Sequence, residues 1–187
     1  DGKWSYTVTE VSDDNGAITV TATAFNFDAF VDAVSRNIEG KCYNYSTVDF
    51  VKYVAICAGW RKDKTPENRK FLSDLKKLLT EWDDVPYKKT AMEIHSNTMD
   101  ALENDVLRSS VMFIHCREPE EIARLVENWG ARSLLITRAA AEKKEQSNDS
   151  DRNVKDYEYD TIVENNGTLA ELEESARTYL HEVLHLI

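Results

Sequence analysis

Four arginines occupy positions from which a phosphate could be gripped. Arg117 follows the apolar run Val111–Cys116 at once, and Arg138 follows Ser133–Thr137 in the same way. Arg152 lies in the polar stretch beyond the second run, and Arg69 lies three residues past Pro66. A guanidinium is always charged, and its planar fork matches two phosphate oxygens. Several forks at one edge suit a phosphorylated ligand; the plain alternative is pairing with carboxylates such as Glu118 and Asp151. Ser46-Thr47-Val48-Asp49, after a third strand-like run, adds Thr47 and Asp49 to the candidate set.

A second chemistry is written in His181-Glu182-Val183-Leu184-His185. It matches HExxH, two zinc-ligand histidines one helical turn apart with a glutamate base between them. Only Leu186 and Ile187 follow, so a downstream third ligand is missing. The stripe Leu172, Ala176, Tyr179, Leu180, Val183 and Leu184 explains the segment as a helix packed on a sheet, and no metal is expected. His115, inside an apolar run, reads as a core histidine. Cationic Arg117 could favour a thiolate at Cys116, but without a histidine partner in sequence Cys116 reads as a buried structural thiol. Trp60, Trp82 and Trp129 read as core packing.

The elements that must position these residues alternate. Tyr6–Val11 and Ile18–Ala22 show strand-like alternation around Asp14-Asn15-Gly16, a hairpin signal that predicts Tyr6–Val11 adding antiparallel to the first strand. Helical spacing follows at Phe27, Phe30, Val31, Val34 and Ile38, with Gly40 as the stop. Cys42–Thr47 reads as a strand, and Phe50, Val51, Val54, Ala55 and Ala58 as a helix face ending at Gly59. After Pro66 the stripe Phe71, Leu72, Leu75, Leu78, Leu79 and Trp82 predicts a longer helix. Asp83–Lys89 reads as a turn-rich break, and Met92–Leu107 as a weaker helix. Val111–Cys116 and Ser133–Thr137 read as strands buried on both faces. Between them Glu118-Pro119-Glu120-Glu121 opens a helix that Gly130 ends. Ala139–Asp156 has no apolar stripe and predicts a mobile excursion with fast amide exchange. Asp160–Val163 is a last strand, and Thr168-Leu169-Ala170-Glu171 is a capping box for the final helix.

Strands alternating with helices predict an α/β fold, a parallel sheet of about five strands covered on both faces. Strands are expected near Ile18, Tyr43, Val111, Leu134 and Ile162. Ligands of such sheets sit at the carboxyl ends of the strands, so the segments after Ala22, Thr47, Cys116 and Thr137 are where chemistry belongs.

Composition narrows the classes. The 187 residues are 42% hydrophobic, enough for one core, and neither a repeat nor a linker divides them. Thirty-four acidic against 23 basic residues give a net charge of −11, and no basic stripe suggests a nucleic-acid partner. Cys42, Cys57 and Cys116 show no CxxC spacing, so a reduced, cytoplasmic chain is expected. No apolar run approaches a bilayer span, so no membrane is expected. No signal-peptide pattern is present, and the start at Asp1 suggests a trimmed or processed chain. The sequons at Asn44, Asn148 and Asn166 read as chance matches.

Four segments carry a family resemblance. They are Tyr45–Lys52 (YSTVDFVK), Arg69–Lys76 (RKFLSDLK), Phe113–Ile122 (FIHCREPEEI) and Tyr159–Thr168 (YDTIVENNGT). Together they resemble the P-loop nucleoside and deoxynucleoside monophosphate kinases of bacterial and phage type, relatives of adenylate kinase. The phosphomevalonate kinases share parts of the pattern. The resemblance spans about Ile18 to Leu184 and implies a three-layer α/β/α kinase-like fold with an N-terminal β-hairpin extension. Within one domain, 1–187, it implies a hairpin strand in 1–17, a helical acceptor-binding region in 60–108 and a lid in 139–156. Arg69 and Arg117 would bind the acceptor phosphate, with Thr47 and Asp49 beside them. Arg138 and Arg152 would flank the lid and act on the transferring phosphoryl group. The implied reaction is phosphoryl transfer from ATP, with Mg²⁺, to a nucleoside monophosphate or similar small phosphorylated acceptor.

The phosphate loop departs from that pattern. Where GxxxxGK[ST] belongs the chain reads Ala22-Thr23-Ala24-Phe25-Asn26-Phe27-Asp28-Ala29-Phe30. The motif uses glycines for close approach of backbone N–H groups, lysine for the β/γ-phosphates and a hydroxyl for Mg²⁺. Phe25 and Phe27 put bulk in place of glycine, Asp28 brings negative charge, and Ala29 replaces the hydroxyl. Transfer is therefore expected to be impaired. The alternatives are a catalytically inactive relative with a nucleotide-binding or regulatory role and, remotely, a zinc hydrolase through HEVLH. The nucleobase and the oligomeric state are not legible.

Overall fold

The computed structural model describes residues 17–21, 27–63, 65–139 and 154–186. Five short strands, β1 (Ala17–Thr21), β2 (Cys42–Ser46), β3 (Val111–His115), β4 (Arg132–Thr137) and β5 (Thr161–Glu164), lie in the order β2-β3-β1-β4-β5. Every pairing is parallel. In register, His115 lies level with Ser46 on one side and Thr21 on the other, and Thr21 with Leu134.

The alternation of β3 and β4 builds two cores. Val111, Phe113, Leu134 and Ile136 face α1 (Phe27–Asn37) and α6 (Leu169–Thr178), meeting Phe30, Val34, Leu172 and Ala176. Met112, Ile114 and Leu135 face the other way, toward Ile94 of α4 (Val85–Glu103) and Ile122 and Leu125 of α5 (Pro119–Trp129). Burial on both faces explains why these strands read as continuous apolar runs. Two further helices among the described residues are α2 (Asp49–Cys57) and α3 (Pro66–Asp83). Thr168 caps α6 by accepting from the Glu171 N–H while the Glu171 carboxylate accepts from the Thr168 N–H.

Several expectations need correction. β3 and β4 occupy both edges of β1 over Thr19–Thr21, so an antiparallel partner has no edge there; Tyr6–Val11 itself lies outside the described residues. The break expected over Asp83–Lys89 shrinks to Asp84, in the left-handed region at φ 50°. Pro86 sits in the first turn of α4, where no N–H is needed. Arg124 of α5 fixes that corner, with guanidinium nitrogens 2.6 and 3.3 Å from the Asp84 carboxylate and its Cζ 3.7 Å from the centroid of the Tyr87 ring. The stripe of α3 buries none of its residues; Phe71, Leu78 and Trp82 are exposed, so core packing fails for Trp82. Of the excursion, 140–153 lie outside the described residues, but Val154 is buried in the α5-side core and the Tyr159 hydroxyl donates to its carbonyl at 2.6 Å.

Candidate functional site at the carboxyl edge of the sheet

β1 leads to α1 on one face of the sheet, and β3 leads to α5 on the other. Connections that part in this way open a crevice at the strand ends, where open α/β sheets place their ligands. The ends of β2 and β3 are tied together, the Thr47 N–H donating to the His115 carbonyl at 3.1 Å. Thr47 is buried. Asp49 closes the turn into α2, accepting from the Ser46 N–H at 3.0 Å and pairing with Lys52 at 2.9 Å.

His115 occupies the centre of this edge. Its ring stacks on Phe27, the first residue of α1, at 5.4 Å with 20° between planes, and its buried Nε2 has no hydrogen-bond partner among the described residues. Burial, then the charges of Arg117 and Lys52, hold its pKa near 4 against the opposing pull of Asp49 and Glu118. The imidazole is thus neutral at pH 7, and charges from two segments, α2 and the turn after β3, converge on it. The expectation of a satisfied core histidine fails on Nε2.

Beyond Arg117 lies a compact cluster that the sequence did not reveal. Lys76 of α3 reaches Glu118 at 2.9 Å and Glu121 at 3.1 Å, and the Cys116 thiol donates to Glu121 at 3.2 Å. Burial works to lower the Lys76 pKa, but the two glutamates outweigh it and the ammonium is held. Burial and then Glu121 and Glu118 push the Cys116 thiol well above its ordinary value, which disfavours the thiolate. The ligand atoms of Cys116, Glu118 and Glu121 lie within 4.8 Å of one another. Lys76 supplies the positive charge a cation would bring. Cys116, Glu118 and Glu121 are neighbours in sequence, but Lys76 comes from α3 and nothing beside it signals them.

The remaining candidates divide. Arg117 is half-buried at the end of β3. Arg69, exposed, precedes Lys76 by seven residues, which puts both on one face of α3 about 10 Å apart. Arg138 is half-buried past the end of β4, two strand spacings or about 9.6 Å across from the line of β3. Its turn is organised by the loop after β5, the Asn165 N–H donating to the Thr137 carbonyl and the Asn166 side chain accepting from the Ala139 N–H, each at 2.8 Å. Arg152 and Ala22, Thr23, Ala24, Phe25 and Asn26 lie outside the described residues. Phe27 is turned into the core against Phe113, Asp28 is exposed in the first turn of α1, and Ala29 packs on the core. These three offer a Mg²⁺-triphosphate neither cation nor hydroxyl, so they do not fit the group.

The HEVLH segment does not form a ligand pair. Tyr179–Val183 winds as a π-helix, and His185 adopts φ 54° with Nδ1 3.1 Å from the His181 carbonyl oxygen. The i, i+4 geometry needed for two zinc ligands is therefore broken.

No family model matches the chain, and no curated protein matches it. Among solved structures, the dephospho-CoA kinase of Campylobacter jejuni is similar over 90% of this chain and 97% of its own, with 14% identity and a TM-score of 0.49. A "putative kinase" of Chloroflexus aurantiacus is similar over 90% and 98%, with 10% identity and a TM-score of 0.46. No helix among the described residues is long and apolar enough to cross a membrane.

Proposed function

We propose that this chain is a nucleotide-kinase-like protein that binds a nucleoside monophosphate or similar small phosphorylated molecule at the carboxyl edge of its sheet, with phosphoryl transfer from ATP impaired. The observation that carries the reading is the parting of connections at β1 and β3, with Arg117 after β3 and Arg138 after β4 on opposite sides of β1. A phosphate between two guanidinium forks gains charge-assisted hydrogen bonds of roughly 1.5–3 kcal/mol each. Arg69, on the Lys76 face of α3, is the candidate third contact, and Arg152 belongs to the implied lid.

The donor side argues for a binding or regulatory role. On the resemblance Asp28 stands where a lysine would meet the β/γ-phosphates, and Phe27 packs into the core. Calorimetric titration with nucleoside mono-, di- and triphosphates, with and without Mg²⁺, tests the proposal. Monophosphates should bind in preference to Mg-ATP, and Arg117→Ala should weaken them tenfold or more, about 1.4 kcal/mol. Robust γ-phosphoryl transfer by the purified chain would refute the impaired donor side. Monophosphate binding that is absent, or indifferent to Arg117→Ala, would refute the site.

A further inference from the structure

The loop after β5 carries a reactive dipeptide. Asn166 and Gly167 are both exposed, whereas Asn165 before them is buried and its N–H donates to the Thr137 carbonyl. Asparagine is among the thermolabile residues of proteins, and a following glycine has no Cβ to shield its peptide nitrogen. The cap of α6 fixes glycine at 167. The Glu171 carboxylate accepts from the Thr168 N–H at 2.6 Å and from the Thr168 hydroxyl at 2.9 Å, and a Cβ on Gly167 would collide with that carboxylate. Asparagine at 166 has its own use, because its Oδ1 accepts from the Ala139 N–H at 2.8 Å and so organises the turn after Arg138. We propose that Asn166 is a site of spontaneous deamidation in the folded chain, and that its conversion loosens the turn that carries Arg138.

The reaction needs only the chain and water. The Gly167 nitrogen attacks the Asn166 Cγ, its proton passes to solvent, and the former Nδ2 leaves as ammonia while a succinimide ring closes. Water then opens the ring at either carbonyl and gives aspartate or isoaspartate. One ammonia is lost for one water gained, and nothing is oxidised or reduced. Attack between adjacent residues is intramolecular, so no encounter must be paid for in entropy. The Gly167 N–H makes no hydrogen bond among the described residues, so its proton is free to leave. The Ala139 N–H is already aimed at Oδ1, the atom on which negative charge develops as the nitrogen adds. The Asn166 Nδ2 is held only by a long bond to Glu164, at 3.4 Å.

The products disturb what the amide held. Aspartate at 166 replaces the donor facing Glu164 with a second carboxylate. Isoaspartate lengthens the main chain by one carbon between the anchored Asn165 and the capping Thr168, and moves the side-chain acceptor away from the Ala139 N–H. Either product brings negative charge to the peptide unit that joins Arg138 to Ala139.

The full chain is aged in mildly alkaline buffer at physiological temperature, folded and, in parallel, unfolded in urea. Peptide maps with electron-transfer fragmentation read each asparagine and separate aspartate from isoaspartate. In the folded chain Asn166 should convert at least tenfold faster than Asn97, Asn104 and Asn128, which precede Thr98, Asp105 and Trp129. Asn166→Gln, which keeps an amide but cannot close the same ring, should stay unconverted over the same time. Anion exchange isolates the aged forms by their added charge, and the Ala139 amide should exchange at least tenfold faster in the isoaspartyl form than in fresh protein. An Asn166 that stays amidated in the folded chain and converts only in urea would overturn the proposal. Unchanged protection of Ala139 in the isoaspartyl form would overturn it as well. Neither readout requires a bound phosphate, so this inference and the proposed function can fail separately.

Discussion

Replacing His115 with phenylalanine separates the acid sensitivity of this edge from that of the rest of the chain. An unfolded histidine titrates near 6.5, whereas folded His115 titrates at about 4, because burial and then Arg117 and Lys52 disfavour the imidazolium. Between those values the unfolded chain holds a proton that the folded chain does not. The contribution is therefore fully present above about 6.5 and is lost as the pH falls toward 4. The gap corresponds to roughly 3 kcal/mol in all, of which about 2 kcal/mol is gone by pH 5. For a chain of this length that is a fall in melting temperature of about 4–8 °C. His115→Phe keeps an aromatic ring on Phe27 and removes both the titrating nitrogen and the unpartnered Nε2. Thermal melts of both proteins at pH 7.5 and pH 5 make the comparison. Carboxylates titrate alike in the two proteins, so the difference between them isolates the imidazole. The wild type should lose about 4–8 °C more than the variant, and the variant should melt no lower at pH 7.5. Equal losses would refute the assignment of a buried, neutral His115.

Lys76→Met should destabilise the chain by about 3 kcal/mol in urea titrations, because it leaves Glu118 and Glu121 facing each other without their shared ammonium; adding Glu121→Gln should recover part of the loss. Thr168→Ala should cost about 1 kcal/mol, the usual worth of an N-cap hydroxyl. The Glu171 carboxyl, held below its ordinary pKa by the Thr168 backbone and hydroxyl, should titrate higher in that variant by nuclear magnetic resonance.

What the sequence disclosed was whatever neighbours in the chain decide. Val111–Cys116 announces a doubly buried strand because both its faces are apolar, and Thr168 with Glu171 announces a cap because both partners lie within one turn. The α3–α4 corner escaped because Asp84 takes a left-handed conformation while Arg124, far along the chain, holds it in place. An amphipathic stripe shows that α3 has an apolar face, but Phe71, Leu78 and Trp82 show that such a face need not meet its own core. At the site, Arg117 and Arg138 were legible from their places after strand-like runs. Lys76 was not, since nothing beside it in sequence signals Glu118 or Glu121. Nor was the state of His115, which depends on Phe27 and on charges from α2 and the turn after β3.

The position of β1 has a consequence for how the chain comes to be folded. Ala17 pairs with Val111 and Thr19 with Arg132, so β1, the earliest of the described strands, finds its partners only after the intervening hundred or so residues have been made. Without β1 the sheet is two separate ribbons, β2 with β3 and β4 with β5, and a two-stranded ribbon is marginal in water. These pairings close long loops before they return any stabilisation, which makes folding slow and exposes apolar strands while the chain waits. A fragment ending before β4 would lack one flank of β1, and a fragment beginning after β1 would lack the strand that joins the halves. Slow pairing of β1 would then lengthen the time for which these apolar strands are open to aggregation.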